Sequence, residues 1–284
     1  MIKVSIQGVP GSFSHIAAEH FFPQLQLVCN TDFKSTFTSL ADGTADFAVV
    51  PIENSTIGSI IENYTWLTHY PFHVIGEVFI KVNFHLAALK ESLLSEIGEV
   101  YSHAAGLGQI VNFLTEHPNL KIVEYFDTAG AAQMVAKTNK KNFAAACSRK
   151  AAQINGLDVI KENIHDNPKN FTRFFLISKT PLKSKLTDSL PEPPSQYRTS
   201  LQFEISHQSG SLSQFLALFA NQGLSLTKIE SRPIPSTDWE YRFYIDVLSG
   251  PDSAAMKICL EEASTKCSHL RVLGQYPVGT QIES

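Results

Sequence analysis

FHVIGEVFIKVNFHLAAL, residues 72–89, is the stretch that decides how this chain is organised. Apolar or small residues recur at every second position from Val74 to Val82, which is the period of a β-strand. The run is too long for one ordinary strand of about 5–6 residues. We interpret it as a crossover that leaves one lobe and enters a second, with Thr172–Ser178 as the strand that returns.

Around this crossover, short apolar strands alternate with helix-length segments, a pattern typical of an α/β layered fold. The predicted strands are Ile2–Gln7, Asp46–Pro51, Phe72–Leu89, Glu99–Ser102, Ile122–Phe126, Asn142–Ala146 and Thr172–Ser178. The predicted helices are Ser14–Phe22, Ile57–Leu67, Gly106–Glu116, Thr128–Lys137 and Arg149–Asn155.

Residues 181–198 differ in composition, since they contain several prolines with Ser and Lys, and they predict a linker. The following segments have the order βαββαβ, which is the ferredoxin-like topology. They are Ser200–Ser206, Ser211–Asn221, Ser225–Arg232, Tyr241–Leu248, Ser253–Ser264 and Leu270–Tyr276. We therefore expect a two-lobed, periplasmic-binding-protein-like domain at 1–180 and a small domain at 199–284. In the first domain, lobe 1 covers about 1–75 and 166–180 and lobe 2 about 76–165.

Composition excludes several classes of protein. The formal net charge of −4 offers no basic surface for nucleic acid or an anionic membrane. No apolar run approaches the ~18 residues of a transmembrane helix, and Met1–Ile6 predicts a strand rather than a signal peptide. The four cysteines show no metal-ligand spacing, so we expect reduced thiols in a cytoplasmic protein without a metal or cofactor.

The segment Asn170-Phe171-Thr172-Arg173-Phe174 places a hydroxyl beside a guanidinium, between aromatic residues that can exclude water. A threonine hydroxyl can donate a hydrogen bond, and an arginine can hold a carboxylate by two parallel hydrogen bonds. The segment therefore suits a small carboxylate substrate with a poor leaving group. An ordinary strand edge is the competing interpretation.

Small polar residues recur where a strand ends and a helix begins. Such helix starts expose unpaired amide groups that bind anions, and in open α/β sheets they gather at one edge. Simple helix capping explains any single one of them equally well. The segments are Gly8–Ser14 with Ser12 and Ser14, Glu53–Thr56, Ser102-His103, Asp127-Thr128 and Ser148.

Other motifs are weaker. Gly8–Ser14 lacks the lysine and the glycine spacing of nucleotide-binding loops. Ser102 and His103 are adjacent on a strand and so face opposite sides, which disfavours a hydrolase dyad. Gln109 lies about two helical turns beyond Ser102 and can share its cleft. Glu53 is either a buried acid or a partner of a helix dipole, and we favour the second.

Together these segments resemble the prephenate dehydratase family, over nearly the whole chain. The motifs that carry the resemblance are GVPGSFSHIA (8–17), DFAVVPIENSTIG (46–58), YSHAAGLGQ (101–109), DTAGAA (127–132) and NIHDNPKNFTRF (163–174). The resemblance implies decarboxylating dehydration of prephenate to phenylpyruvate in phenylalanine biosynthesis. It implies Thr172, Glu53 and Asn54 as catalytic residues. It also implies a substrate-binding set of Ser12, Ser14, Ser55, Ser102, Gln109, Thr128, Arg173 and Phe174.

The tail resembles the regulatory ACT domain of the same family through Glu230-Ser231-Arg232-Pro233. This implies an L-phenylalanine site that also uses Gly210, Ser211 and Leu212, and it implies a homodimer or homotetramer. Two departures from the family pattern stand out. Ser211 and Ser213 replace an alanine and an aromatic residue, and Ala104 replaces a proline.

Two further hypotheses remain open on the sequence. Arogenate differs from prephenate only by an amine in place of a ketone, so an arogenate dehydratase fits the same motifs. A non-catalytic two-lobed receptor or sensor for small anions fits the lobe-and-crossover pattern, but it has no need for Thr172 beside Arg173.

Overall fold

The computed structural model describes residues 1–181, 196–234, 237 and 240–284, so most of the predicted linker at 181–198 lies outside the described residues. The chain divides into two compact units. Unit 1 contains Met1–Tyr70, Val78–Leu176 and Thr280–Ser284. Unit 2 contains Pro71–Glu77 and Ile177–Gly279.

The first lobe of unit 1 is built on one mixed sheet. Its elements are β1 (Ile2–Gln7), α1 (Phe13–Phe21), β2 (Leu25–Asn30), α2 (Phe33–Ala41), β3 (Phe47–Asn54), β4 (Gly58–Ser59) and α3 (Ile61–His69). Strand β5 (His73–Lys81) then leads out of this lobe. The strands β1, β2 and β3 are parallel, with register pairs such as Val4–Leu27 and Val4–Phe47.

The second lobe has a five-stranded sheet. Its elements are β6 (His85–Ala88), a 3₁₀ turn (Leu94–Glu96), β7 (Glu99–Ser102), α4 (Ala104–Leu107), α5 (Val111–Glu116), β8 (Lys121–Glu124), α6 (Thr128–Thr138), β9 (Phe143–Cys147), α7 (Arg149–Ile154) and β10 (Asp158–Lys161). The strand order is β10-β6-β9-β7-β8. Small side chains let the helices approach this sheet closely, as with the fully buried Ala129, Ala132 and Ala145.

Strand β11 (Phe171–Ser178) returns to the first sheet, as the sequence predicts. The long run 72–89 is divided into β5 and β6, which confirms that it crosses between lobes. Backbone hydrogen bonds link the two crossovers. Val82 N–H donates to the Asn170 carbonyl at 2.8 Å, and Ile164 N–H donates to the Phe84 carbonyl at 2.9 Å.

Two histidines also join the crossovers. His85 Nδ1 accepts from Asn163 N–H at 3.3 Å, and His165 Nδ1 accepts from Phe84 N–H at 3.4 Å. Burial lowers the pKa of His85 to about 4, and the nearby Arg149 adds to the effect. Burial likewise lowers the pKa of His165. A neutral imidazole can accept these hydrogen bonds, and an imidazolium cannot.

Unit 2 has the predicted ferredoxin-like order. Its elements are β12 (Tyr197–Ile205), α8 (Ser211–Asn221), β13 (Leu226–Pro233), β14 (Tyr241–Leu248), α9 (Ala254–Lys266) and β15 (His269–Pro277). The antiparallel sheet has the order β13-β14-β12-β15. An apolar cluster that includes Phe203, Phe215 and Phe219 joins helix to sheet.

The first half of β5 belongs to unit 2, where it is held by buried charge and close backbone packing. Arg198 Nη1 donates to Glu77 Oε2 at 2.9 Å, and both side chains are almost fully buried. Arg271 donates to the Phe72 carbonyl at 2.6 Å. Gly274 packs directly on the Val74 carbonyl, where a β-carbon has no room.

The last segment of the chain belongs to unit 1. Strand β16 (Gln281–Ile282) pairs in parallel with Phe79 and Ile80 of β5, so the first sheet has the order β16-β5-β11-β3-β1-β2, with β4 beside β3. Glu283 accepts hydrogen bonds from Lys81 at 3.2 Å and from Asn83 at 3.0 Å. Within the described residues, no helix has both the length and the apolar character needed to cross a membrane.

Two predicted helices are wrong in their extent. The helix expected at Ile57–Leu67 begins only at Ile61, because Gly58, with φ +91°, turns the chain back so that β4 pairs with the end of β3. The helix expected at Gly106–Glu116 is two helices. Ile110 leaves helical geometry between them, and glycines at 106 and 108 weaken a continuous helix here.

The sequence prediction also missed β2, α2 and β10. Helix α2 is rich in Ser and Thr, which have low helix propensity. Its start is stabilised by Asp32, whose Oδ1 accepts from Ser35 N–H at 2.7 Å. Such an N-cap is the signal that could have located this helix.

We expect Gly274→Ala to lower the free energy of unfolding by about 1–3 kcal/mol, because the added methyl overlaps the Val74 carbonyl. Gly98→Ala is the matched control, since its β-carbon would lie 3.7 Å from the nearest atom, Asn142 Nδ2. Urea unfolding of both variants measures the difference. Equal stability of the two variants would show that β15 does not pack on β5 in this way.

Candidate active site

The carboxamide of Asn54 is the centre of the candidate site. Its Oδ1 accepts from the backbone N–H groups of Thr56 at 2.9 Å and Ile57 at 3.0 Å, which fixes the orientation of the group. Its Nδ2 therefore points the other way and donates to Thr172 Oγ1 at 2.9 Å and to Asn170 Oδ1 at 2.8 Å. All three side chains of this group, Asn54, Asn170 and Thr172, are at most 9% exposed.

The hydroxyl of Thr172 is an acceptor in this arrangement. Asn54 donates to the hydroxyl oxygen, and none of the described residues accepts the hydroxyl proton. That proton is therefore available to a bound ligand. The strands explain why these residues meet. Asn54 ends β3, and Thr172 lies near the start of the neighbouring β11, although more than a hundred residues separate them in sequence.

Gln109 reaches the same group from the second lobe. It lies between α4 and α5, where its Nε2 donates to the Ala105 carbonyl at 2.7 Å. Its Oε1 accepts a short hydrogen bond from Asn170 Nδ2. Gln109 thus connects the break between α4 and α5 to the returning crossover.

Ser55 fixes the backbone that carries the site. Its hydroxyl accepts from Phe171 N–H at 2.9 Å and donates to the Lys169 carbonyl at 3.2 Å, and its own N–H donates to the Phe171 carbonyl at 2.8 Å. These bonds use the Ser55 hydroxyl within the protein. The segment Glu53–Thr56, expected at a helix start, is instead a strand end followed by a tight turn.

Arg173 is not part of the Thr172 group. Adjacent residues on a strand face opposite sides, and Arg173 instead pairs with Glu53, with 3.7 Å between Nη1 and Oε2. Its guanidinium lies over the rings of Phe79, at 5.8 Å, and Phe175, at 4.8 Å. Arg173 is 4% exposed. This placement gives no support to the predicted carboxylate clamp, which stays a prediction.

The expectation that Glu53 interacts with a helix dipole is wrong. Glu53 lies on β3 and pairs in register with Ser59 of β4, so it is not in the first turn of a helix. The reason is the turn at Gly58, which postpones helix α3 to Ile61.

Three of the predicted helix starts carry side chains that cap their own helices. One of these side chains also bonds to the other lobe. Ser12 caps α1, Asp127 caps α6 and Ser148 caps α7, each by accepting a backbone N–H of its own helix. Ser148 also donates to the Gly11 carbonyl at 2.7 Å across the lobes. The Asp127 carboxylate lies beside Gly8, and burial raises its pKa.

The remaining predicted residues lie apart from the Thr172 group. Ser102 is fully buried, and its hydroxyl donates to the Ala146 carbonyl at 2.7 Å. Ser14 is buried on α1, Thr128 opens α6 and is half-buried, and Phe174 is 2% exposed within β11. None of these four residues is part of the Thr172 group as described above. Their roles toward a substrate stay predictions.

Asn170 is the functional candidate that the sequence prediction missed. It opens the pentapeptide that was quoted for Thr172 and Arg173, but its own side chain received no role. Its position two residues before Thr172 is the signal that could have found it, because alternate residues of a strand share a face.

In unit 2, the residues of the predicted effector site occupy two elements. Gly210 has φ +85° at the start of α8, and Ser211 and Leu212 follow it on the helix. Glu230 and Arg232 share a face of β13 and form an ion pair at 2.8 Å. Ser231 and Pro233 alternate with them on the same strand.

Comparison with known proteins agrees with this architecture. The family model for prephenate dehydratase matches residues 4–182. An Arabidopsis thaliana protein named arogenate dehydratase/prephenate dehydratase 6, chloroplastic, is 35% identical over 294 aligned residues, which cover 98% of this chain and 69% of that protein.

Solved structures extend the likeness over both units. Prephenate dehydratase from Arthrobacter aurescens, in complex with L-Phe, superposes with a TM-score of 0.85 and 27% identity, and covers 97% of this chain and 90% of its own. A protein described as GqqA, a novel type of quorum-quenching acylase, superposes with a TM-score of 0.86 and 30% identity, over 97% and 98% of the two chains.

The fold is thus that of a two-lobed α/β domain with an appended ferredoxin-like domain of the ACT type, as in the dehydratases of known structure. The chain belongs to the prephenate dehydratase family.

We expect Arg173→Lys to lower the free energy of unfolding by about 1–2 kcal/mol, because a lysine lacks the planar guanidinium that lies over the rings of Phe79 and Phe175. We expect KM to stay within about twofold, because Arg173 pairs with Glu53. Urea unfolding and steady-state kinetics on the same preparation test this. An increased KM at unchanged stability would contradict this expectation and support the predicted carboxylate clamp.

Proposed function

We propose that this protein catalyses the decarboxylating dehydration of prephenate to phenylpyruvate. The observation that carries the proposal is the buried Thr172 hydroxyl, which accepts a hydrogen bond from Asn54 and keeps its own proton available. The family match over residues 4–182 includes both residues and supports the same conclusion.

The chemistry requires a donor at one end of an elimination. As the bond to the ring carboxylate breaks, its electron pair enters the ring, carbon dioxide leaves, and the C4 hydroxyl departs with a proton as water. A threonine is too weak an acid to transfer a full proton early. Thr172 therefore acts by donating a hydrogen bond to the hydroxide as it develops, which needs no early proton transfer. The Asn54 donor strengthens it, because hydrogen bonds in a chain polarise one another.

An uncharged group of donors suits a decarboxylation. A fixed cation beside the ring carboxylate would stabilise the ground state and hold back its loss. The Thr172 group consists of amides and a hydroxyl, and the guanidinium of Arg173 faces Glu53 on the other side of the strand. We infer that the Thr172 group acts at the leaving hydroxyl and leaves the departing carboxylate uncharged surroundings.

Arogenate is the second candidate substrate. It carries an amine where prephenate carries a ketone, and named relatives of this chain include both arogenate and prephenate dehydratases. Measuring kcat/KM on both substrates under one set of conditions decides between them. A two-lobed receptor would bind either compound without forming an aromatic product.

The contacts of Thr172 and Ser102 give no support to an acylase activity like that described for GqqA. Amide hydrolysis needs a nucleophile next to a base that removes its proton. The partner of Thr172 is a carboxamide nitrogen, which donates rather than accepts a proton, and the Ser102 hydroxyl is directed at a backbone carbonyl in the core.

We expect Thr172→Val to lower kcat by a factor of about 100 or more, because the hydroxyl is lost while the shape is kept. Thr172→Ser keeps the hydroxyl and should stay within about tenfold of the parent. The measurement is phenylpyruvate or phenylalanine formation, with folding checked by circular dichroism. Near-parental kcat in the valine variant would remove Thr172 from the mechanism.

For unit 2 we propose an L-phenylalanine site that feeds back on the reaction, in a homodimer or homotetramer. The Arthrobacter aurescens relative was solved with L-Phe, and the motif residues Gly210 and Glu230–Pro233 are present here. Ser211 and Ser213 make the start of α8 more polar than the family pattern.

We expect L-phenylalanine to bind the full chain and to lower its rate, with D-phenylalanine as the inactive control. Calorimetry measures binding, steady-state assays measure the rate, and sedimentation velocity measures the oligomer with and without effector. Binding of L-phenylalanine without any change in rate would contradict feedback regulation.

A further inference from the structure

A continuous row of carboxamides connects the second lobe to Thr172. The Ala105 carbonyl accepts from Gln109 Nε2, and Gln109 Oε1 accepts from Asn170 Nδ2. Asn170 Oδ1 then accepts from Asn54 Nδ2, which also donates to Thr172 Oγ1. Each member donates in the same direction along the row.

The direction of this row is fixed at both ends by the backbone. At one end Gln109 must present its nitrogen to the Ala105 carbonyl. At the other end Asn54 must present its oxygen to the N–H groups of Thr56 and Ile57. Because both anchors require the same direction, turning over any one carboxamide breaks at least one hydrogen bond.

Asn170 is the member that lies where the chain passes from the second lobe back to the first. It lies in the returning crossover, and its carbonyl accepts from Val82 N–H of the outgoing crossover. Its side chain is 2% exposed, and its donor and acceptor atoms are all engaged, including a longer bond from Thr56 Oγ1 at 3.4 Å. Asn170 is therefore too enclosed to contact a ligand directly.

Asp166 holds the lobe 2 end of the row in place. Its carboxylate accepts from Val111 N–H at 2.8 Å and Asn112 N–H at 2.9 Å, and its own N–H donates to the Gln109 carbonyl at 2.8 Å. The returning crossover thus fixes the backbone of Gln109 as well as its side chain.

We propose that Asn170 is a positioning residue, which holds the Asn54 carboxamide nitrogen on Thr172 Oγ1 and ties that orientation to Gln109 in the second lobe. The inference rests on the proposed function of Thr172 as the donor to the leaving hydroxyl. Without Asn170, the Asn54 nitrogen loses one of its two acceptors and the Thr172 proton loses its fixed direction.

Asn170→Asp tests this with almost no change of shape. The new oxygen replaces Nδ2 and faces Gln109 Oε1, so the ionised carboxylate of the variant puts two acceptors together and breaks the row. The protonated carboxyl group of the variant can donate to Gln109 again. Since burial raises the pKa of a carboxyl group above its usual ~3.9, the row should be restored as the pH falls.

The expected result is a kcat about 10–100-fold below the parent at pH 8, with KM within about threefold. The deficit should shrink at least fivefold between pH 8 and pH 5. The enzyme-free rate is subtracted at each pH, because acid itself promotes the same elimination. A ratio of the two kcat values that stays constant with pH, or near-parental kcat at pH 8, would overturn the proposal.

Asn63→Asp is the matched control. Asn63 is equally buried in the first lobe, and its Nδ2 donates to the Pro51 carbonyl at 2.6 Å, but it is outside the row. It should lose stability at high pH like the test variant, yet kcat per folded molecule should not change with pH relative to the parent. The folded fraction is taken from tryptophan fluorescence under each condition.

A readout without turnover separates this proposal from the proposed function. With ¹⁵N-labelled asparagine, the carboxamide protons of Asn54 should exchange slowly in the parent and rapidly in Asn170→Ala. If the parent converts neither prephenate nor arogenate, the proposed function fails and this exchange alone decides the positioning role. Protection that survives in Asn170→Ala would overturn it.

Discussion

The hydrogen bond from Val82 N–H to the Asn170 carbonyl, at 2.8 Å, is the constraint on which the site depends. It holds the outgoing and returning crossovers side by side, so that β11 enters the first sheet next to β3. Asn54 at the end of β3 then meets Thr172 at the start of β11. The same bond fixes the backbone of Asn170, whose side chain reaches Gln109 in the other lobe. A site formed this way takes its residues from both lobes.

Much of the fold could be predicted because hydrophobic period and length are local properties of sequence. Strands β1, β7 and β14 and helix α8 have the predicted limits, and the run 72–89 was long enough to reveal a crossover. The failures have tertiary causes. The turn at Gly58 depends on a strand partner, and the break before α5 depends on Asp166, which caps that helix from 55 residues away.

The site could be predicted only as a set of candidate residues. Motifs identified Thr172, Asn54 and Gln109, which the structure brings together through Asn170. The face of a strand decides which neighbours cooperate, and by that rule Thr172 and Arg173 separate. Whether a serine hydroxyl is available to a ligand depends on the nearest backbone, since the hydroxyls of Ser55 and Ser102 both donate to backbone carbonyls. Such details follow from packing rather than from residue type.

The strand Gln281–Ile282 affects whether the two units can be separated. The family match ends at residue 182, yet the first sheet takes its outermost strand from the far end of the chain. Removing everything beyond residue 182 would remove that strand and leave unpaired backbone groups along the edge of β5. Such exposed edges pair with other molecules and promote aggregation. The packing of Gly274 on the Val74 carbonyl and the Arg198–Glu77 pair also place the first half of β5 in unit 2. The two units are therefore interlaced in sequence, and neither can be cut out of the chain as one continuous segment.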